Sequence, residues 1–584
     1  MTATNHPLTA ITLSEDEEKE VTQLYEERAD HLELETIKNN TVLSGESDGW
    51  LQSLTGTGAK LLVGPRGCGK THLMRFAFTE CVKDPLAAFA VYTNLNRYYR
   101  LEPLLRKRPD AMTMFYVWVL ANIAVGLDDA LHAFGGKDFD TESITGMRTS
   151  AIRALIGTYE QGRTPSAEQD SLAASLTIDH VKGLLLKAAE RLHRRRVVLF
   201  LDDAALTLTP EFLSNFFDIF RALKGSKIAP KASVYPGSTE YGPNFHATHE
   251  AESIFVWKSV VDSDYLTFME KIGNTRFPDM NDIPEEMRGL LAYAAFGVPR
   301  AFMTLVRLYK KHRDTSSNAQ VAFNKTIEDF VGEKRTEYLT LQEKKPQFAS
   351  IVAVGRDALD AMLSAVTAAN QELAEGTTRQ LTIGIDNSTV ENRPYVDRML
   401  RLLEEAGMIY KRGKVSHGQK EYLRLVPHVG ALIQDRAFAR KRGFSAKFAL
   451  EMLQRQDEKQ PVRRVMTTLV DAQKLDDLGL DLPNCRSCNA KRVEGAKFCF
   501  ECGTRLTDES TYDRLLLTTL SHVPGLTQWQ RDRLATTAGI PKTVGEFLAL
   551  QDPGTALRTI RHVGQRRAET IIDAVESFLD EYLS

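Results

Sequence analysis

The chain has 584 residues, of which 43% are hydrophobic and 26% are charged, and its formal net charge at pH 7 is −3. This composition is ordinary for globular protein, and the length corresponds to about three to five domains. The small negative charge excludes a polycation, so any binding of nucleic acid must depend on local basic surfaces. Near-neutral charge is equally typical of metabolic enzymes.

Cysteine usage and the amino terminus both indicate a cytoplasmic protein. Four of the six cysteines lie within one short segment, which is not the pattern of a secreted disulfide scaffold. The first thirty residues are polar and acidic, and they lack the basic and apolar regions of a secretory signal. No uninterrupted run of about 18 apolar residues occurs, so we expect neither a transmembrane helix nor a membrane partner.

Changes of pattern along the chain divide it into seven segments. A charged, helix-prone lead-in precedes a long segment in which short apolar runs alternate with helical patterns, which is typical of an α/β fold with a mostly parallel sheet. Then come an all-helical segment, helices followed by two strands, a basic helical linker, a cysteine-rich module and a final helical module. The predicted boundaries are 1–45, 46–265, 266–345, 346–435, 436–480, 481–508 and 511–584.

One segment matches the phosphate-loop pattern G-x-x-x-x-G-K-[ST] at every position. It consists of Gly64, Pro65, Arg66, Gly67, Cys68, Gly69, Lys70 and Thr71. An apolar strand precedes it and a helical run follows, so backbone amides at the helix start would point at phosphate oxygens. We expect Lys70 to contact the β- and γ-phosphates and the Thr71 hydroxyl to bind Mg²⁺. The loop therefore predicts an ATP site, and a chance match in a glycine-rich turn is the alternative.

A second apolar run, 197–201, leads directly into Asp202 and Asp203. A parallel sheet would present both carboxylates beside the phosphate loop, because parallel strands share the edge at which they end. Asp202 is the expected Mg²⁺ ligand, through water, and Asp203 is expected to orient the water that attacks the nucleotide. An acidic turn at the end of a buried strand is the alternative.

Two later segments complete a recognisable set. Residues 232–239 are a strand-like run ending in hydroxyl side chains, and residues 297–301 open a helix. With the loop and the aspartate pair, they resemble the origin-recognition-complex-type initiator branch of the AAA+ ATPases, and the related STAND ATPases, over roughly residues 45–435. By residue, the resemblance implies Thr239 or Ser238 as sensor 1, which detects the γ-phosphate, and Arg300 as sensor 2, which reaches the nucleotide from a lid.

The same resemblance implies an α/β core, a helical lid, a winged helix domain, ATP binding and nucleic-acid-linked assembly, which makes a homo-oligomer one expected state. Many AAA+ proteins have glutamate where this chain has Asp203. Because aspartate is one methylene shorter, we expect slow hydrolysis. The alternative for Arg300 is a solvated residue at a helix start.

Residues 390–425 have the layout of a winged helix. Apolar residues recur at helical spacing over 390–403, and Gly407 suits the end of that helix. Two short strands around a basic turn follow. Such a domain reads DNA with its second helix in the major groove and its wing along the backbone. The expected phosphate contacts are Lys411, Arg412, Lys414 and Lys420. A winged helix that binds protein is the alternative.

Cys485, Cys488, Cys499 and Cys502 form two C-x-x-C pairs separated by ten residues. Two such pairs place four thiolates around one tetrahedral Zn²⁺. Because all four ligands are protein sulfur, no position is open, and the predicted zinc is structural. A segment this small needs the metal to fold. The module looks like a zinc ribbon, a class that binds nucleic acid or protein with similar frequency.

The final module contains two segments, at 523–526 and 560–568, that resemble helix-hairpin-helix elements. From residue 538 to the end it looks like the C-terminal domain of the RNA polymerase alpha subunit. In such hairpins a glycine lets the backbone approach a phosphate, and amides at the following helix start bind it without reading sequence. A small helical domain that docks on protein is the alternative.

Together these features predict an α/β P-loop ATPase core with a helical lid, a winged helix, a zinc ribbon and an all-α helix-hairpin-helix C-terminal domain. The expected reaction is ATP and water to ADP and phosphate. The expected partners are nucleic acid, most directly DNA, and proteins, as in replication initiation, mobile-element or antiviral systems. The alternative is a slow ATP-driven regulatory switch whose C-terminal modules bind proteins.

Overall fold

The computed structural model describes ten stretches of the chain, and most of the predicted lead-in 1–45 lies outside them. The described residues are 32–43, 46–136, 142–203, 209–374, 377–439, 443–455, 462–496, 498–506, 511–550 and 552–583.

A five-stranded sheet forms the centre of the first half of the chain. Its strands are β1 (Lys60–Val63), β2 (Phe89–Asn94), β3 (Val197–Asp202), β4 (Ile228–Val234) and β5 (Glu252–Phe255). They lie in the order β2-β3-β4-β1-β5, and every pairing is parallel. β3 and β4 are buried throughout, as expected for strands covered on both faces. The predicted α/β class with a parallel sheet is confirmed.

Helices and short turns cover this sheet. The helices are α1 (Leu34–Asn39), α2 (Glu46–Thr55), α3 (Lys70–Lys83), α4 (Leu104–Lys107), α5 (Ala111–Gly135), α6 (Glu142–Thr145), α7 (Thr149–Glu160), α8 (Ala167–Ser175), α9 (Ile178–Arg191), α10 (Pro210–Leu223) and α11 (Ala247–Glu250). A 3₁₀ helix spans Asn96–Leu101.

Within the described residues, one helix, α5, is long and apolar enough to cross a membrane by length and composition alone. Of its most apolar 18-residue window, 67% is buried inside the protein. The helix packs directly on β2, where a Cβ added to Gly126 would lie 2.6 Å from the carbonyl oxygen of Tyr92. A buried core helix passes the same test, so the finding is a weak indication of a membrane span. Thr113 and Asn122 interrupt its apolar run.

The next part of the chain is helical. Its helices are α12 (Tyr265–Arg276), α13 (Glu285–Ala294), α14 (Pro299–Thr315) and α15 (Ala319–Lys344), with 3₁₀ turns at Met280–Asp282 and Pro346–Phe348. Pro299 stands at the first position of α14, where its missing N–H costs nothing.

A second, smaller sheet and the helices around it follow. In chain order, the elements of this part are α16 (Ala349–Glu372), β6 (Ile383–Asp386), α17 (Asn387–Glu391), α18 (Pro394–Glu405), β7 (Ile409–His417), β8 (Lys420–Pro427), α19 (Val429–Gln434), α20 (Ala446–Gln454), β9 (Val462–Arg464), α21 (Met466–Leu469) and α22 (Ala472–Asp476). The strand order is β7-β8-β6-β9, antiparallel except for β6 and β9. One buried cluster unites residues 257–298 and the helices after them with this sheet.

The final module is helical. It contains α23 (Thr511–Leu516), α24 (Gln528–Thr536), α25 (Val544–Leu548), α26 (Pro553–Arg558) and α27 (Gln565–Leu583), with a 3₁₀ turn at Leu520–His522. Its buried side chains belong to the same cluster as the α/β core, and the Tyr512 ring lies 5.1 Å from the Tyr99 ring. The end of the chain therefore packs against its first half.

Candidate nucleotide site and cysteine cluster

The turn between β1 and α3 needs its three glycines, two for their backbone conformation and one for close packing. Gly67 and Gly69 have φ angles of 77° and 99°, a region that side chains other than glycine rarely adopt. A Cβ on Gly64 would lie 2.8 Å from the carbonyl oxygen of Val256. The sequence thus produces a tight loop whose last amides open a 14-residue helix, the arrangement that binds phosphate.

Lys70 lies inside this loop and is only 6% exposed. Its Nζ donates to the carbonyl oxygens of Gly64 and Pro65, at 2.7 and 2.9 Å. The same ammonium lies 4.1 Å from the centre of the Tyr235 ring. The loop carbonyls and the ring therefore compensate a buried positive charge, and a phosphate in the loop would compete for the same donor.

Asp202 ends β3 and is completely buried. Its Oδ2 accepts a hydrogen bond from the Tyr92 hydroxyl at 2.9 Å, and its Oδ1 accepts one from the backbone N–H of Asp203 at 3.0 Å. Burial, and secondly the Asp202 charge, raise the pKa of Tyr92 well above its usual value, so this hydroxyl remains a donor. Each carboxylate oxygen keeps a second lone pair, so Asp202 fits an Mg²⁺ ligand acting through water.

Asp203 turns away from the strand with a φ angle of 52°, a left-handed conformation that aspartate tolerates better than most residues. Its backbone N–H also donates to the Ser233 hydroxyl at 2.8 Å, which joins the end of β3 to β4. These bonds fix the direction in which the half-buried Asp203 side chain leaves the sheet.

Tyr235 directly follows β4, the strand that lies between β1 and β3. Besides Lys70, the guanidinium of Arg66 lies 5.6 Å from its ring centre. Burial first, and then the Asp203 charge, raise the pKa of its hydroxyl well above the usual value. Tyr235 thus lies against the Lys70 ammonium of the phosphate loop, and the Asp203 charge acts on its hydroxyl. Sequence reasoning missed it, although it ends the apolar run that was recognised as a strand.

The hydroxyl residues predicted as sensor 1 lie in the turn after Tyr235. The Thr239 hydroxyl accepts the backbone N–H of Tyr235 at 2.9 Å, and Thr239 is 6% exposed. The backbone N–H of Ser238 donates to the Glu405 carboxylate at 2.6 Å. Both residues are therefore engaged within their own turn or with α18, and the contacts bring Tyr235, not Thr239, to Lys70.

Arg300 is the second residue of α14 and is exposed. Its backbone N–H donates to the carbonyl oxygen of Gly67 at 3.4 Å, and a Cβ on Gly67 would lie 3.0 Å from the Arg300 Cβ. The start of α14 therefore lies directly on the phosphate loop, as a lid residue must.

Thr71 is the second residue of α3 and is half-buried. Burial raises the pKa of the Cys68 thiol, which favours its unreactive protonated form.

The four predicted zinc ligands come together as one cluster. The Sγ atoms of Cys485, Cys488, Cys499 and Cys502 all lie within 4.8 Å of one another. Two of these distances are 3.6 and 3.5 Å, close to the roughly 3.8 Å between sulfurs around tetrahedral zinc with Zn–S bonds of about 2.3 Å. The residues present fit a structural zinc ion.

Two loops of the same shape build this cluster. The backbone N–H of Cys485 donates to Ala490, and that of Cys499 donates to Thr504, at 2.9 and 2.8 Å. The residue after the second cysteine of each pair, Asn489 or Gly503, has a φ angle of 59° or 68°. The equivalent turns direct both pairs of thiols to one point.

Comparison with known proteins adds little. No protein-family model matches the chain, and no curated protein sequence matches it. A Walker-type ATPase of Pyrococcus abyssi is 14% identical with a TM-score of 0.33, and the match covers 67% of this chain and 94% of that one. The Aeropyrum pernix ORC1 protein, solved in complex with DNA, is 12% identical with a TM-score of 0.29, and the match covers 72% and 94%. Likenesses at these TM-scores do not bear on function.

Proposed function

We propose that this protein binds ATP with Mg²⁺ at residues 64–71 and hydrolyses it to ADP and phosphate. One observation carries the proposal: the loop after β1, Tyr235 after β4 and Asp202 at the end of β3 lie at the ends of three neighbouring parallel strands, and the Lys70 ammonium lies 4.1 Å from the centre of the Tyr235 ring. A buried lysine, a buried carboxylate and the amides of a helix start are the groups that bind a triphosphate and its metal.

Each residue then has a definite task. Lys70 leaves the loop carbonyls and binds the β- and γ-phosphates. Thr71 and Asp202 would hold Mg²⁺, which would supply positive charge beside the phosphates. Asp203 orients the attacking water, and Arg300 approaches from the lid. Because the Asp203 backbone is held in an unusual conformation and its side chain is short, we infer slow turnover.

We further propose that DNA is the nucleic acid partner. Residues 346–435 contain helix, strand, two helices and a two-stranded hairpin in the order of a winged helix. In the final module, the exposed Gly525 and His562 occupy equivalent turns, with φ angles of 81° and 71°, before α24 and α27. The exposed Arg566 and Arg567 open α27. Paired hairpins of this kind suit phosphate contacts that do not read sequence.

A second candidate is a slow regulatory switch, and the basic wing favours it. Lys411 lies 3.3 Å from Glu404, and Lys414 lies 2.8 Å from Glu391. Lys420 lies 3.4 Å from Asp386. Because acidic partners already occupy these lysines, the wing attracts phosphates less than its composition suggests. Protein partners of the C-terminal modules fit this candidate best.

ATPase rates of the full chain, measured with and without duplex DNA, separate the candidates. Stimulation by DNA supports the first, a slow rate that DNA leaves unchanged supports the second, and absence of nucleotide binding contradicts both.

Lys70→Ala should weaken Mg·ATP binding by roughly 10- to 100-fold, the value of one charged hydrogen bond. The matched control is Lys83→Ala, which removes an exposed lysine at the other end of α3.

A further inference from the structure

The helix that a winged helix would insert into DNA is covered in this structure. All twelve residues of α18 are described, and only Pro394 among them is exposed. One side of α18 carries Val396, Met399, Leu400 and Leu403, which are buried in the core of its own domain. The opposite side carries polar residues at helical spacing, Arg398, Arg401 and Glu405, which a DNA-reading helix would present.

The polar side of α18 faces residues 236–240, which we call the β4 turn. Glu405 is 5% exposed, and its Oε2 accepts backbone N–H groups from Gly237 at 3.0 Å and Ser238 at 2.6 Å. At the other end of the turn, Arg398 donates to Glu240 at 2.6 Å. Two amides that would otherwise be buried without partners therefore depend on one carboxylate of α18.

The fit between the two elements is close enough to exclude a side chain. A Cβ on Gly237 would lie 2.8 Å from the carbonyl carbon and oxygen of Arg401, and equally close to the Cα of Leu402. Backbone therefore packs directly on backbone. No DNA could reach this side of α18 while the contact persists.

The β4 turn belongs to the candidate nucleotide site. It starts immediately after Tyr235, and Thr239 bonds back to the Tyr235 backbone at 2.9 Å. Tyr235 in turn lies 4.1 Å from the Lys70 ammonium. The Glu405 charge also acts on the Tyr235 hydroxyl, so this carboxylate lies within electrostatic range of the site. The segment that α18 contacts therefore begins directly after Tyr235, the residue that lies against Lys70 in the candidate nucleotide site.

We propose that Glu405 holds α18 against the β4 turn while Lys70 is bonded to the loop carbonyls, and that Mg·ATP in the loop releases α18 and uncovers Arg398 and Arg401 for duplex DNA. The inference rests on the proposed nucleotide site and concerns its regulation. The triphosphate carries more negative charge than one Mg²⁺ offsets. It therefore repels a carboxylate buried nearby and draws Lys70 away from Tyr235. Linkage requires that DNA binding to α18 tightens nucleotide binding equally.

Hydrogen exchange of residues 394–405 in the full chain tests the inference, with Mg·ATP and Mg·ADP as probes. We expect exchange to become at least tenfold faster with Mg·ATP than with Mg·ADP or without nucleotide. In Glu405→Ala, residues 394–405 should exchange fast even without nucleotide. This variant should also bind a labelled duplex about as tightly as the unaltered protein does with Mg·ATP. Glu405→Gln keeps an acceptor but no charge, so it should stay slow and lose the response to Mg·ATP.

Two controls separate this inference from the proposed function. Glu404→Gln alters the neighbouring carboxylate, which pairs with Lys411 and not with the turn, and should respond as the unaltered protein does. Arg398→Ala removes the other end of the contact and should raise exchange partially. Unchanged exchange while calorimetry shows bound Mg·ATP overturns the coupling alone. Failure to bind Mg·ATP overturns the proposed function as well, and slow exchange in Glu405→Ala overturns the contact.

Discussion

At the scale of single residues, contacts decided roles that residue type left open. Two hydroxyl residues after β4 matched the expected sensor by type. The structure instead engages Thr239 with its own turn and brings the Tyr235 ring to Lys70. The Tyr235 ring at the end of β4 provides a surface for the lysine charge, and burial together with the Asp203 charge raises the pKa of its hydroxyl.

Removing only the Tyr235 hydroxyl tests this role. Tyr235→Phe keeps the ring under Lys70, so we expect affinity for Mg·ATP to change by less than about threefold. Turnover should fall by roughly tenfold, because losing a hydrogen bond that is made chiefly in the transition state lowers kcat. Calorimetric titration and single-turnover hydrolysis measure the two effects separately.

The control for this change is Tyr241→Phe, which alters a tyrosine packed 4.8 Å from the Phe217 ring. It should leave both quantities unchanged. Equal turnover in Tyr235→Phe and the unaltered protein would show that the hydroxyl has no part in hydrolysis, and Thr239 or Ser238 would remain the expected sensor 1.

At the scale of elements, local sequence explains why helices begin where they do, and one start is sensitive to pH. His428 precedes α19, and its Nδ1 accepts the backbone N–H of Ala431 at 3.3 Å. Burial first, and then Lys334 and Arg335, lower the pKa of His428 to about 3. The folded protein therefore holds this histidine neutral, since only the neutral ring can accept that bond.

The lowered pKa predicts a loss of stability in acid. Between the ordinary pKa of about 6.5 and about 3, the unfolded chain binds a proton that the folded chain excludes, so the free energy of unfolding falls as pH decreases. Going from pH 7 to about pH 5 should cost about 2 kcal/mol at this site. His428→Asn keeps a good helix cap without a titrating group. Over the same pH change, its free energy of unfolding, measured with urea, should therefore fall by about 2 kcal/mol less than that of the unaltered protein. Equal losses in both proteins would contradict the assignment.

The cysteine loops make a second prediction at this scale. Cys499→Ser should lower the zinc content of the purified chain from about one ion to nearly none, and proteolysis around residues 485–506 should become faster. Elemental analysis and limited digestion measure these effects. Cys81→Ala is the control, because Cys81 is a buried thiol of α3 outside the cluster. A metal-free chain whose loops resist digestion would refute structural zinc.

At the scale of the whole molecule, the chain forms two large buried clusters that do not follow sequence order. Among the described residues, one joins the α/β core to the final module, and the other joins the helices that follow that core to the smaller sheet. The Tyr99 and Tyr512 rings form part of the first, and Arg100 adds ion pairs with Glu160 and Glu576 at 3.5 and 3.9 Å. The final module is therefore packed against the half of the chain that contains the candidate nucleotide site.

Tyr512→Ala should loosen this packing. Deleting a buried aromatic ring costs roughly 3–5 kcal/mol in a core, so hydrogen exchange of residues 96–101, against which it packs, should accelerate. Leu517→Ala, at a side chain that is 74% exposed, is the control and should have no effect. Unchanged exchange in Tyr512→Ala would mean that the final module is held by its other contacts.

Local pattern was sufficient for the parts of this protein whose physics is local. The phosphate loop, the aspartate pair and the cysteine pairs depend on residue type at short spacing, so the sequence alone located them and indicated the α/β class. The strand order, with β4 between β1 and β3, depends on contacts between residues far apart in the chain, and no short pattern contains it.

Only the tertiary structure decided that Tyr235 lies against Lys70, that Glu405 accepts the amides of the β4 turn, and that the wing lysines are already paired. Each of these depends on the distance between side chains from different elements. The free energy of burying a charge or an amide depends on the partner that contacts it, and the packing of the whole chain determines which partner that is. The sequence therefore determined which functional groups are present, and the fold determined which of these groups contact one another.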